Sequence, residues 1–140
     1  MEKNKTVKIG GASAFWGDTN NAAAQLVHSK QIDYLVFDYL AEITMSILAG
    51  AKMKNSELGY ATDFVKQVAP LLQDIKIQGI KVVSNAGGIN PQACRKMLLD
   101  AAKKANVELN VAVVEGDNLL YQKDTLQALP VKEMETGSSM

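Results

Sequence analysis

The chain has 140 residues, 47% hydrophobic and 21% charged, a balance that fits one globular domain and excludes disorder along its length. Lysine plus arginine number 15 and aspartate plus glutamate 15, so no net charge draws in a polyanion and no nucleic-acid partner is expected. A single cysteine, Cys94, excludes an internal disulfide and a zinc cluster and points to a cytoplasmic address.

The residues from Met1 to Lys8 are lysine-rich with no apolar core behind them, so no signal peptide is expected. Val7, Ile9 and the small residues after them read as a first strand, running into Gly10-Gly11-Ala12-Ser13 and then Phe15-Trp16-Gly17-Asp18. Asp18 is placed to cap a helix carrying Ala22, Ala23, Leu26 and Val27 on one face. Residues 32–37 form a nearly continuous apolar run, the signature of a strand buried on both faces of a parallel sheet. The next helix is expected to bury Leu40, Ile43, Ile47, Leu48 and Ala51.

A further helix carries Phe64, Val68, Leu71, Leu72 and Ile75, with a break expected at Pro70, which lacks a backbone donor. Gly79 suits its C-terminal end, since glycine tolerates a positive φ. A third strand covers residues 80–83 and opens into Ser84-Asn85-Ala86-Gly87-Gly88-Ile89-Asn90-Pro91, where Asn90 suits a helix cap and Pro91 the first helical position. Cys94, Met97, Leu98, Ala101 and Ala105 form the stripe of that helix, residues 110–114 read as a fourth strand, and Leu119 to Leu129 as a last helix. No apolar stretch approaches the ~20 residues that span a bilayer, so no membrane association is expected.

Strands alternating with helices imply a parallel sheet. The expected fold is α/β: four or five parallel strands with helices on both faces, a Rossmann-like layered sandwich, with part of a β/α barrel as the alternative. Residues 1–129 are expected to form one domain and residues 130–140 an irregular tail.

Ligands of such sheets bind beyond the carboxyl ends of the strands. Gly11, Ser13, Gly17 and Asp18 follow the first strand. Their spacing matches neither the dinucleotide fingerprint nor the P-loop, which leaves an unorthodox anion site or a tight turn. Asp38 and Glu42, with Asp18, are the candidate catalytic carboxylates; the plainer reading is that Asp38 caps a helix and Glu42 complements its dipole. Asn85, Gly87, Gly88 and Asn90 form the most specific-looking binding loop, since glycines admit a ligand to the backbone and Asn85 offers both donor and acceptor; turn and cap are again the plainer reading. Asp117 closes the fourth strand end. His28, the only histidine, sits within a helix away from these ends, and Cys94 lies on an apolar stripe, so no nucleophile with a base is assembled and no metal site is expected.

Four segments then stand in order: Ile9-Gly10-Gly11-Ala12-Ser13-Ala14-Phe15-Trp16-Gly17-Asp18, Asp33-Tyr34-Leu35-Val36-Phe37-Asp38-Tyr39-Leu40-Ala41-Glu42, Gly79-Ile80-Lys81-Val82-Val83-Ser84-Asn85-Ala86-Gly87-Gly88-Ile89-Asn90-Pro91 and Val111-Ala112-Val113-Val114-Glu115-Gly116-Asp117. Together with Gly59-Tyr60-Ala61 and Met134-Glu135-Thr136-Gly137 they resemble the N-terminal domain of the acyclic terpene utilisation protein A family. The resemblance implies catabolism of branched acyl compounds beside acyl-CoA carboxylase partners, with a small carboxylic acid or an acyl-CoA thioester as substrate. It carries over no catalytic residue. It also implies a longer chain, of which this would be the front part. An enzyme or enzyme subunit is one expectation. The alternatives are a non-catalytic small-molecule-binding or assembly module, forming a homo-oligomer or docking a further part or subunit through a bare apolar face, and a truncated fragment without activity of its own.

Overall fold

The computed structural model describes residues 6–139. Strands β1 (Ile9–Ser13), β2 (Tyr34–Phe37) and β3 (Lys81–Ser84) form one parallel sheet in the order β1-β2-β3. Ile9 stands opposite Tyr34, and Tyr34 opposite Lys81. Helix α1 (Ala22–Ser29) joins the first pair, and α2 (Glu42–Lys54), α3 (Thr62–Val68) and α4 (Leu72–Gln78) lie between β2 and β3. Helix α5 (Pro91–Lys104) follows β3, and a short α6 (Lys123–Gln127) comes last.

The α/β class is as expected, but the described sheet has three strands and not four or five. Residues 110–114 alternate in burial as a strand would, with Val111 and Val113 half-buried and Asn110, Ala112 and Val114 exposed, yet they form no ladder. The segment is held from the side instead. Arg95 Nε on α5 donates to the Val111 carbonyl at 3.1 Å, and Leu109 and Val111 rest on the core. The outer edge of β3 thus meets no strand among the described residues.

Sequential strand order also decides where the helices go. A right-handed crossover that always steps the same way returns on the same side of the sheet. Accordingly α1 touches α3 and α4, and α3 touches α5, in a single layer. Gly10, Ala12, Leu35 and Phe37 are buried under it, while Ile9, Gly11, Lys81 and Val83 on the other side are exposed. Helices on both faces, expected from the apolar run at residues 32–37, are not found among the described residues. Tyr34 and Val36 in that run are only half-buried. The order β1-β2-β3 is common to an open Rossmann-like sheet and to part of a β/α barrel.

Local signals around the sheet work as their chemistry dictates. Pro70 ends α3, and residues 69–71 pass through a 3-10 turn before α4 resumes. Gly79 ends α4 at φ +67. Pro91 opens α5 with Asn90 at its cap position, although the Asn90 side chain makes no cap bond. Helix α2 departs from expectation: it buries Thr44 and Leu48, whereas Ile43 is 71% and Ile47 53% exposed. Leu48 anchors it by filling the space above Gly88, which turns Ile43 and Ile47 outward.

Beneath the strand ends, Phe37 stacks on Tyr39 with ring centroids 5.8 Å apart, and Phe64 from α3 meets both rings edge-on at 5.0 and 6.2 Å. Edge-to-face contacts of this kind add to the area each ring buries. Phe64→Ala is expected to lower stability by about 3–5 kcal/mol in urea denaturation; a loss near zero would mean that this cluster does not hold the sheet to α3.

Candidate functional site

The three strand ends are tied together by side chains. Asn85, just after β3, donates from Nδ2 to Asp38 Oδ1 at 2.7 Å and accepts from the Tyr39 amide at Oδ1, also at 2.7 Å. Ser13, at the end of β1, donates from Oγ to the Asp38 carbonyl at 3.3 Å. One amide side chain thereby clamps β2 to β3, and Ser13 adds β1. Asp38 Oδ2 makes no hydrogen bond among the described residues, so this carboxylate is oriented through one oxygen and open through the other.

Asp38 does not cap α2, which starts four residues later with Ala41 at its cap position. Glu42 lies in the first turn of α2 with its side chain exposed. Asp18 likewise does not cap α1, whose cap position is Asn21. Asp18 accepts instead from the Ala14 amide at 3.0 Å and closes a turn that Gly17 completes at φ +89. That turn is pinned to α3 by Trp16 Nε1 donating to Asp63 Oδ2 at 3.0 Å. Gly11 lies on the open side of β1, with nothing within 4 Å of where a Cβ would stand.

The glycine loop is packed from behind. A Cβ on Gly88 would collide with Leu48 Cδ1 and stand 2.8 Å from the Gly59 carbonyl, and the residue sits at φ +52. A Cβ on Gly87 would stand 2.9 Å from Pro91 Cβ. Asn90 turns away and donates to the carbonyls of Ser56 at 2.8 Å and Leu58 at 2.7 Å.

Beside β3 a cleft of about 670 Å³ opens between the strand and residues 109–114. Val82, Leu98, Leu109, Val111 and Val113 give it apolar walls, and Ser84, Asn85, Arg95 and Asp117 supply polar groups. Asn85, Gly87, Gly88 and Asp117 therefore share one cavity, whereas Gly11, Ser13, Gly17, Asp18, Asp38, Glu42 and Asn90 do not line it. Sequence reasoning passed over Arg95, although it is the only arginine in the chain and follows the glycine loop by one helical turn. Among the described residues no three of His, Cys, Asp and Glu are placed to hold a metal ion. No helix there is long and apolar enough to cross a membrane.

Burial pushes the Cys94 thiol up from 9.0 to about 11, so at neutral pH it lines the cleft as a protonated, weakly reactive group. Tyr39 is pushed from 10.0 to about 12, chiefly by burial and then by the nearby Asp63 charge. Its hydroxyl has no well-formed hydrogen bond among the described residues, though the Ser13 hydroxyl lies near enough to ease its ionisation. Both groups stay neutral in the fold and ionise more readily unfolded. The stability they contribute is intact below pH 9.0 and is lost as pH rises to about 12. Urea midpoints should fall across that window; a rise would contradict the buried, neutral state of both groups.

The clamp predicts a second result. Asn85→Ala leaves the Tyr39 amide and the Asp38 carboxylate without their Asn85 partner, and stability is expected to drop by about 1–3 kcal/mol. Asn85→Asp keeps the acceptor but sets a second carboxylate against Asp38, and its deficit should shrink as pH falls and the carboxylates protonate. A pH-independent deficit in Asn85→Asp would show that the Asp38 contact carries no weight.

The family model described as acyclic terpene utilisation family protein AtuA matches residues 7–140. No curated protein and no solved structure matches the chain. The four segments that carry the resemblance all lie within the matched region, and the chain belongs to the acyclic terpene utilisation family AtuA.

Proposed function

We propose that this chain serves acyclic terpene utilisation by binding a branched carboxylic acid, free or as its acyl-CoA thioester, in the cleft beside β3. The observation that carries the reading is the cleft's composition: about 670 Å³ of largely apolar wall with Ser84, Asn85, Arg95 and Asp117 gathered on it. That volume lies within the roughly 300–1,000 Å³ of small-molecule sites. A branched alkyl chain would desolvate against Val82, Leu98, Val111 and Val113. Among the described residues Arg95 is engaged through Nε alone, with the Val111 carbonyl, which leaves its terminal nitrogens as donors for a carboxylate or thioester oxygen.

The reading is of a binding site within an enzyme or enzyme subunit, and no bond-breaking step is assigned to it. Cys94 is protonated at neutral pH and stands without a histidine partner, which argues against a thiol nucleophile. Asp117 stands on the cleft wall, and Asp38, which does not line the cleft, is joined to it only through Asn85. The lone reduced thiol suits a cytoplasmic protein.

Thermal shift with branched-chain acyl-CoA thioesters and the corresponding free acids tests the reading. A ligand at a hundredfold excess over its Kd adds roughly 2.7 kcal/mol and raises Tm by several degrees. Val113→Trp, which fills the cleft from a segment outside the sheet, should abolish the shift while leaving the unliganded Tm close to the parent. No shift with either ligand class, or a shift that survives Val113→Trp, would overturn it.

A further inference from the structure

Helix α2 presents to solvent the side that its apolar spacing marks for burial. Ile43 is 71%, Ile47 53% and Met53 90% exposed. At 100° per residue, Ile43, Ser46, Ile47, Gly50, Met53 and Lys54 fall on one side of the helix, away from Thr44 and Leu48, which hold it to the fold. Gly50 lies on that outer side with nothing within 4 Å of where a Cβ would stand. Glycine inside a helix costs roughly 0.5–1 kcal/mol relative to alanine, and no contact within the described residues makes use of the room it leaves. The two ends of the face carry opposite charges, Glu42 in the first turn and Lys54 in the last, and neither forms an ion pair among the described residues.

We infer that α2 is the surface through which two copies of this chain associate, the helices running antiparallel about a two-fold axis level with Leu48. That axis sets Glu42 against Lys54 of the second copy at both ends, Ile43 against Met53, and Ser46 against Gly50. Charge meets opposite charge, bulk meets bulk, and the two small residues meet at the level where the backbones must come closest. A two-fold axis uses each pairing twice, which is how an isologous interface is built from one self-complementary patch. Antiparallel helices also set the positive end of one macrodipole beside the negative end of the other. A parallel arrangement would oppose Glu42 to Glu42 and Lys54 to Lys54. Thirteen residues make a helix of roughly 20 Å, which places a contact of this kind at the small end of protein interfaces, so the association is reversible and depends on concentration. The inference does not depend on the ligand reading of the β3 cleft, whose lining includes none of these residues.

Sedimentation velocity across a wide concentration range tests it, with the melting temperature of each variant as the check on folding. The chain should pass reversibly from monomer to dimer. Glu42→Lys and Lys54→Glu should each weaken the dimer about three- to tenfold, and the double swap should restore it to within about twofold of the parent. Ile47→Glu should weaken it by more than about tenfold without lowering Tm. A chain that stays monomeric at every concentration overturns the proposal and leaves the face to a different partner. So does a dimer that is indifferent to the charge swaps and to Ile47→Glu.

Discussion

Parallel strands cannot be joined by a tight turn; each pair needs a crossover, and the crossover is right-handed. In this chain the three strands follow one another in space as they do in sequence, so every crossover steps the same way and the helices collect on one side. The burial pattern follows. Leu35 and Phe37 reach the core at full burial, while Ile9 and Val83 on the other side remain exposed. Among the described residues the sheet ends at β3, whose outer edge faces residues 109–114 without pairing, and the cleft occupies that gap. The open face follows from that topological constraint, and the edge with its cleft from the hold of Arg95 on the Val111 carbonyl.

The strand ends carry the chemistry because they are where backbone polarity is left over. Asn85 answers this with a donor to Asp38 and an acceptor for the Tyr39 amide, and in doing so fixes a carboxylate at the mouth of the sheet. Gly88 lets the following loop drop onto α2 through Leu48, and Asn90 ties the same loop to the carbonyls of Ser56 and Leu58. The loop is therefore rigid on its inner side, and the groups it turns towards the cleft stand on a supported scaffold. Such support is what a binding site requires if it is to hold a ligand without reorganising.

What could be read without coordinates was the chemistry that acts locally. Pro70, Gly79 and the Asn90-Pro91 pair mark their boundaries through φ and a missing donor, which need no distant partner. What could not be read depends on tertiary choice. Residues 110–114 have the alternation of a strand, but a ladder needs a neighbour at the right distance, and Arg95 holds the segment elsewhere. Ile43 and Ile47 form as good a stripe as Thr44 and Leu48 when only periodicity is counted; the close fit of Leu48 over Gly88 selects the second. Asp18 has the identity of a cap and spends it on Ala14. Asn85 was legible as a binding-loop residue from its donor and acceptor, but its partner Asp38, 47 residues earlier, was beyond any local pattern. Arg95 gave the one signal that was present and went unused, as the sole arginine beside the glycine loop.

The open edge of β3 can be measured amide by amide. Lys81 donates its N–H to the Asp33 carbonyl at 3.0 Å. In a parallel ladder alternate residues point the same way, so Val83 also faces β2 while the N–H groups of Val82 and Ser84 face the cleft. Hydrogen exchange followed by NMR should find Lys81 and Val83 protected and Val82 and Ser84 exchanging much faster. Equal protection along all four residues would mean that β3 is paired on both sides, and it would contradict both the three-strand sheet and the cleft.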